Sequence, residues 1–307
     1  MTTQTLAARA DGSRSYYEAT ARQRVAGLFD AGSIREILPP QERVVSPHLP
    51  TLGIPVAFDD GVMIGRARLD GSDVLFAAEE PGFMGGSVGE VHGAKLTGLL
   101  KLAARDKPAA VVLLWDTGGV RLHEANAGLI AISEIQRAVF EVRAAGVPII
   151  VVCAGANGCY GGLGIVARCC DHIVMTEEGR HSVSGPEVIE SQKGVEEFDA
   201  RDRALVWRTM GGKHRYLLGE AGTFARDTME DLRGAIGGLL GQSVPLSLDA
   251  VLREHRALAR RLERFGATQD ALDIWGALGV DDPAAVPMLD TEAFVAMANT
   301  VRERADA

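Results

Sequence analysis

Cysteine is scarce and late in this chain: 307 residues hold four, at positions 153, 159, 169 and 170. With none earlier, an N-terminal metal module built on four cysteines is not expected. Cys169 and Cys170 are adjacent, so they suit neither a disulfide with each other nor a shared metal site, and no metal site is expected. Residues 1–14 carry both charge signs but no apolar core, so they do not read as an export signal. Reduced thiols in the cytoplasm are therefore the expectation. Long apolar runs are also missing. The longest, near 109–115 and 147–154, fall far short of the roughly 20 residues that cross a bilayer, so no membrane role is expected. Positive charge is in deficit, with 32 Lys and Arg against 41 Asp and Glu and a net charge of −9, and aromatics are only 5%. Non-specific nucleic-acid binding needs a clustered cationic face and stacking platforms, so it too is not expected.

Glycine is what the chain has in excess, at 36 residues without collagen periodicity. These glycines should mark tight turns and close backbone approaches. Hydrophobic residues make up 47%, and a chain this long buries on the order of three quarters of its unfolded surface, enough for a core without metal or disulfide staples.

Residues 15–30 space Tyr17, Ala21, Val25, Leu28 and Phe29 as a helix closed by Gly32. Residues 36–55 hold five prolines and read as an extended arm. VMIGRARL and VLFAAEE read as strands joined at Asp70-Gly71-Ser72-Asp73, a hairpin signal. A helix over 88–105 follows, then an apolar strand at 109–116, a helix to about 145, a second apolar strand at 147–154, a helix to about 170 and a strand at 172–177. Strands buried on both faces and alternating with helices imply parallel pairing through right-handed crossovers, an α/β fold. Residues 248–266 form a charged amphipathic helix, with two shorter helical segments after it. The segments expected are an N-terminal helix and arm (1–55), a core (56–245) and a C-terminal helical tail (246–307).

Three glycine-rich loops could carry chemistry. Asp116-Thr117-Gly118-Gly119-Val120-Arg121-Leu122-His123-Glu124 lies between a buried strand and a helix, and residues 154–164 (AGANGCYGGLG) fill the same slot one unit later. Backbone N–H groups near Gly118, Gly119, Gly161 and Gly162, at the carboxyl ends of neighbouring strands, can converge on one oxygen as an oxyanion hole. The bland alternative is a pair of tight strand–helix turns. The third loop, Phe83 to Glu90, matches the G-x-S-x-G elbow of serine hydrolases at Gly85-Gly86-Ser87-Val88-Gly89, a pattern frequent by chance in so glycine-rich a chain; a plain helix start capped by Ser87 competes with it.

Weaker motifs weigh less. Residues 162–167 fit G-x-G-x-x-A but start well past their strand. Residues 169–172 (CCDH) have no second Cys pair. Gly211-Gly212-Lys213 lacks the rest of a phosphate loop. His123 and Glu124 are either acid–base groups or exposed helix residues. Lys193, Arg201, Arg203, Arg208, Lys213, His214 and Arg215 form a basic stretch that either meets an anionic partner or is neutralised by Glu196, Glu197, Asp199 and Asp202.

FMGGSVGEVHGAK (83–95), WDTGGVRLHEAN (115–126), the loop at 155–164 and SGPEVIE (184–190), in this order and spacing, resemble the biotin-dependent acyl-CoA carboxyltransferases and their decarboxylating relatives in the crotonase superfamily. RVAGLFDAGSIREIL, ERVVSPHLP (42–50) and EEFDARDRALVWRTMGGKHRYLLGE (196–220) are similar to the β-subunit family of biotin-independent malonate decarboxylases. The resemblance covers roughly 16–245. It implies a crotonase-like ββα-superhelix of repeated strand–strand–helix units. It implies decarboxylation of a malonyl thioester, with the enolate held in a backbone oxyanion hole. The substrate would ride on a phosphopantetheine-type, dephospho-CoA-derived arm of an acyl carrier protein subunit, with no biotin. The partners implied are a γ subunit (a second crotonase-type chain) and an α subunit acting as carrier-protein transferase. Gly118, Gly119, Gly161, Gly162, Tyr160 and Glu124 are the catalytic candidates, and Gly85, Gly86, Ser87 and Arg121 the candidates for gripping the arm. Tyr160, His123, Glu124, a water or a partner group are the options for proton donor. The other functions weighed are a carboxyltransferase subunit of a biotin-dependent carboxylase or decarboxylase, a serine hydrolase using Ser87, and a structural half that only shapes its partner's site. Acetyl-CoA carboxylase β subunits carry a zinc ribbon that is absent here, and propionyl-CoA-type chains fuse two crotonase units where 307 residues hold one.

Overall fold

Asp70 and Gly71 close a two-residue hairpin turn with φ of 50° and 78°, the left-handed pair of a type I′ turn. The turn joins β2 (Val62–Leu69) to β3 (Ser72–Glu79), which pair antiparallel with Leu69 opposite Ser72. The computed structural model describes residues 14–53 and 58–306. Before the hairpin, β1 (Arg35–Ile37) adds an antiparallel edge to β2. After it come β4 (Ala110–Trp115), β5 (Ile149–Cys153), β6 (His172–Met175) and β7 (Thr223–Phe224), all parallel, in one seven-stranded sheet whose order follows the sequence.

A strand order that never reverses keeps the crossover helices on one face. These are α2 (Glu90–Asp106), α3 (Ala127–Ala144), α4 (Gly161–Ala167), and the run α5 (Pro186–Lys193), α6 (Arg203–Met210) and α7 (Gly212–Leu217). The other face carries α1 (Ala21–Leu28) and α8 (Met229–Gly237). Alternation along β4 shows the two layers: Val111, Leu113 and Trp115 join the crossover-side core, while Ala110, Val112 and Leu114 join Val25, Phe29 and Leu232 on the opposite side. Truncating Leu113 to Ala would cost about 2–5 kcal/mol. The repeated strand–helix units have the crotonase-like architecture that the family resemblance implies.

Helix α1 starts at Ala21, not at 15, because Thr20 makes a capping box with Gln23. Its chain-terminal neighbour Tyr16 is fully buried, and Gly32, with φ of 75°, sits in the following turn instead of closing the helix. Glu36 and Ile37, at the start of the extended arm, join Arg35 in β1, a pairing too short for periodicity to reveal. At the other end, α9 (Leu248–Phe265) has no buried residue. Beyond it, α10 (Ala271–Ala277) and α11 (Thr291–Asp306) insert Trp275, Phe294 and Ala298 into the crossover-side core. Both flanking segments therefore share cores with 56–245.

Past the carboxyl ends of the strands, single bridges Val88–Val120, Thr117–Cys159 and Cys159–His181 run parallel, and Arg180–Gly211 antiparallel. These short rungs bring the three glycine loops side by side.

Candidate active site

Gly161 lies against Gly119. A β-carbon on Gly161, where φ is +65°, would stand 3.1 Å from the Gly119 α-carbon, so the second and first loops touch. The third joins them: Gly118 N–H donates to the Gly85 carbonyl at 3.0 Å, and Val88 N–H to the Gly119 carbonyl at 2.9 Å. Thr117 N–H donates to Gly158 O (2.7 Å) and Tyr160 N–H returns to Thr117 O (3.1 Å). The structure thus brings Gly85, Gly86, Gly118, Gly119, Gly161 and Gly162 together.

Not all their N–H groups are free. Gly118 is bonded to Gly85, Gly161 donates to Val183 O at 2.9 Å, and Gly119 donates to the Thr117 hydroxyl at 3.1 Å. Gly162 is the second residue of α4, where a helix offers its N–H no partner. Val120 was not singled out from the sequence. Its parallel bridge to Val88 uses the Gly119 carbonyl and the Arg121 N–H, so Val120 N–H points the other way, and among the described residues it meets no protein acceptor. One unpaired N–H therefore follows each of the touching glycines. Two fixed backbone donors of this kind are what a developing oxyanion needs.

Asp116, the first residue after β4, is fully buried. Its carboxylate accepts from Ala156 N–H (3.1 Å) and Asn157 N–H (2.6 Å) and pairs with Arg24 at 2.8 Å, also fully buried. Its own N–H donates to Glu79 Oε2 at 2.7 Å. Burial pushes Asp116 and Glu79 upward from the usual carboxylate range; Arg24 and the two amides pull Asp116 back, and His92 pulls Glu79 back. Arg24 opens the block RVAGLFDAGSIREIL and Glu79 lies in the strand VLFAAEE, but neither was given a role at the site from the sequence. A buried-strand end with an acid (Glu79) and a helical arginine on an apolar face (Arg24) were the only signals.

Arg121 and Glu124 are walls, not free side chains, at 3% and 4% exposure. Arg121 Nε donates to Ser87 O, and its terminal nitrogens to Asp59 (2.6 and 3.1 Å) and Glu124 (3.2 Å). Glu124 Oε2 also accepts Glu90 N–H at 2.7 Å, at the start of α2. With every guanidinium nitrogen spoken for, Arg121 shapes the loop from below. Gly61 and Gly89 leave it room, since a β-carbon on either would come within 2.5 Å of it.

Tyr160 is buried among Val206 and Met210, flanked by Ile189 and Phe198. Among the described residues its hydroxyl meets no hydrogen-bond partner, and burial pushes its pKa up to about 12. Arg180 stacks on Trp207 at 4.6 Å and approaches the Tyr160 ring at 5.9 Å. His123 lies at the mouth, 36% exposed, with Nε2 3.9 Å from Glu124. Ser87 Oγ donates to the Met84 carbonyl at 2.6 Å; among the described residues no histidine meets it, so it lacks the base of a hydrolase nucleophile.

The weaker motifs dissolve into structure. G-x-G-x-x-A lies inside α4. The cysteines are free, and no group of three metal ligands occurs among the described residues. Within the basic stretch Arg201 pairs with Asp199 at 3.6 Å, one of the neutralising acids expected, while Arg208, Lys213 and Arg215 pair with Asp270, Glu177 and Glu220 from outside it. Leu122 (84%), Leu129, Ile130 and Val183 leave an exposed apolar rim around the glycine loops. No helix of the described residues is long and apolar enough to cross a membrane.

Residues 14–231 match the family model described as the carboxyl transferase domain. The chain is 36% identical, over 94% of its length and 97% of the relative's, to the malonyl-S-ACP:biotin-protein carboxyltransferase of Malonomonas rubra. It is similar to a solved Pseudomonas malonate decarboxylase hetero-tetramer in complex with malonate, at 41% identity and a TM-score of 0.77, over 84% of this chain and 95% of that one. It is also similar to the Pseudomonas malonate decarboxylase MdcD-MdcE hetero-dimer, at 37% identity and a TM-score of 0.65, over 81% and 97%.

Proposed function

The chain belongs to the carboxyl transferase family, and from that premise we propose that it is the β subunit of a malonate decarboxylase, acting on a malonyl thioester. The observation that carries the proposal is the contact of Gly119 with Gly161, each followed in the chain by a residue, Val120 or Gly162, whose N–H is unpaired among the described residues. The bond between the α-carbon and the carboxylate breaks, CO2 leaves, and the electron pair passes through the α-carbon to the thioester oxygen as an enolate. Val120 and Gly162 N–H groups, with Gly119 N–H released from the Thr117 hydroxyl, hold that oxygen. The thioester is itself the electron sink, so no biotin takes part, and the α-carbon then accepts a proton to give the acetyl thioester. Losing one such donor costs roughly 10²–10³ in rate.

The thioester would ride on a phosphopantetheine-type arm of an acyl carrier protein subunit, entering over Gly85, Gly86 and Ser87. The apolar rim of Leu122, Leu129, Ile130 and Val183 supports a γ subunit of the same fold seated across the loops, as does the hetero-dimeric state of the Pseudomonas relative. A separate α subunit would return the carrier to malonate. Unpaired thiols fit a reducing cytoplasm.

The second reading is carboxyl transfer to a biotin protein, favoured by the name of the Malonomonas relative. It shares the enolate and differs in where the CO2 goes. The test is to reconstitute the chain with its γ partner, add malonyl-carrier protein, and follow CO2 with and without excess avidin. Release that avidin leaves untouched supports the decarboxylase. Release that requires biotin protein overturns it in favour of the transferase.

A further inference from the structure

Asp116 touches all three glycine loops. Its carbonyl lies where a β-carbon on Gly86 would stand, 1.9 Å away. Its chain continues directly into Thr117, Gly118 and Gly119. Its carboxylate grips the amides of Ala156 and Asn157, an approach possible only because Gly155 has no side chain, since a β-carbon there would fall 2.1 Å from Asp116 Cγ. On its far side stands Arg24, whose Nε donates to Tyr16 O at 3.0 Å and whose plane lies over the Tyr16 ring at 4.4 Å.

We propose that Asp116 is a positioning residue that sets the spacing of the two oxyanion loops, and that Arg24 is the counter-charge that keeps its carboxylate available for the task. The proposal rests on the decarboxylase reading. A carboxylate can accept from two amides and a guanidinium at once because it has acceptor sites only. An amide in its place turns an N–H2 towards a backbone N–H and drives residues 156–157 away. Residues 155–158 precede Gly161 and Gly162 in the same loop, so a shift there separates the two donors. Small displacements of a preorganised site are expensive, about 10²-fold in rate for 1 Å. Arg24 belongs to the N-terminal segment on the opposite face of the sheet, so the catalytic geometry depends on α1 without α1 approaching the substrate.

The experiment compares Asp116→Asn, Arg24→Met and the double variant in the reconstituted complex, reading kcat, KM and Tm. It also reads amide hydrogen exchange at Ala156 and Asn157 in the chain itself. Asp171→Asn is the control: Asp171 accepts Ile149 N–H and Val244 N–H (2.9 and 2.8 Å) at the other end of the strands. Asp116→Asn should lower kcat on the order of 10²-fold with little change in KM, and speed exchange at Ala156 and Asn157. Removing both charges should restore Tm relative to Arg24→Met, yet leave kcat low. Asp171→Asn should lower Tm and spare kcat. The proposal is overturned if Asp116→Asn keeps its kcat, if the double variant recovers kcat along with Tm, or if exchange at 156–157 is unchanged. A wild-type complex that releases no CO2 would instead count against the decarboxylase reading, and the exchange data would still decide the role of Asp116.

Discussion

Gly161 and Gly119 meet back to back, with 3.1 Å between the place of a Gly161 β-carbon and the Gly119 α-carbon. The first loop ends β4 and the second ends β5, so this one contact joins two crossovers of the sheet. Gly161→Ala would add a methyl into the seam at a φ of +65°. The left-handed conformation alone costs an alanine roughly 1–2 kcal/mol. We expect the complex to assemble and kcat to fall on the order of 10²-fold. Unchanged turnover in the assembled variant would mean that this chain only shapes a site held by its partner.

Tyr160→Phe removes a buried hydroxyl that meets no hydrogen-bond partner among the described residues. With its pKa pushed up to about 12 by burial, the phenol would surrender a proton reluctantly. Losing a general acid typically costs 10²–10⁴ in rate. We expect less than about a tenfold change in kcat and a Tm no lower than wild type, since an unsatisfied polar group disappears. A loss of 10² or more would make Tyr160 the proton donor.

Arg121→Gln breaks buried pairs with Asp59 and Glu124, a change worth about 3–5 kcal/mol. Burial pushes Asp59 up, but its hydrogen bonds and pairing with Arg121 win, holding it below its usual 3.8. A depressed carboxylate stabilises the fold above its unfolded value, and that stability is lost as pH falls through the folded value. Without Arg121, burial is opposed less and the folded Asp59 value rises. Urea denaturation should therefore show a larger penalty for the variant at pH 7 than near pH 4. An equal penalty at both would remove Asp59 from the account.

His214 accepts a hydrogen bond from Trp275 Nε1 at 3.1 Å, and burial lowers its pKa to about 3 from 6.5. Between those values the unfolded chain takes up a proton that the folded chain refuses. Stability from this group is complete above 6.5 and falls as pH drops towards 3, at most about 1.4 kcal/mol per pH unit. His181, lowered by burial as well, adds to the same trend, so the comparison must be between variants. His214→Gln keeps an acceptor for Trp275 and should flatten the decline between pH 6.5 and 4; a parallel curve would contradict it.

Much of the sheet was legible. Strands β4, β5 and β6 announce themselves as continuous apolar runs because both of their faces are buried, and the Asp-Gly turn fixed the hairpin register. The edge strand β1 was not legible, because three residues cannot display a period. The glycine loops were found as loops, but which N–H groups they leave free was not. Gly118 and Gly161 spend theirs on Gly85 and Val183, while Val120, an ordinary residue by its letter, keeps one unpaired.

Apolar runs alternating with helical segments determined the α/β fold, the resemblance of whole sequence blocks indicated the family, and glycines at the ends of buried strands marked the neighbourhood of the site, because backbone turns need that residue locally. The tertiary structure alone decided which donors are unpaired, that Arg121 and Glu124 are walls, and that Arg24 stands behind Asp116. Hydrogen-bond saturation and charge pairing are settled between segments far apart in the chain, and no local pattern records them.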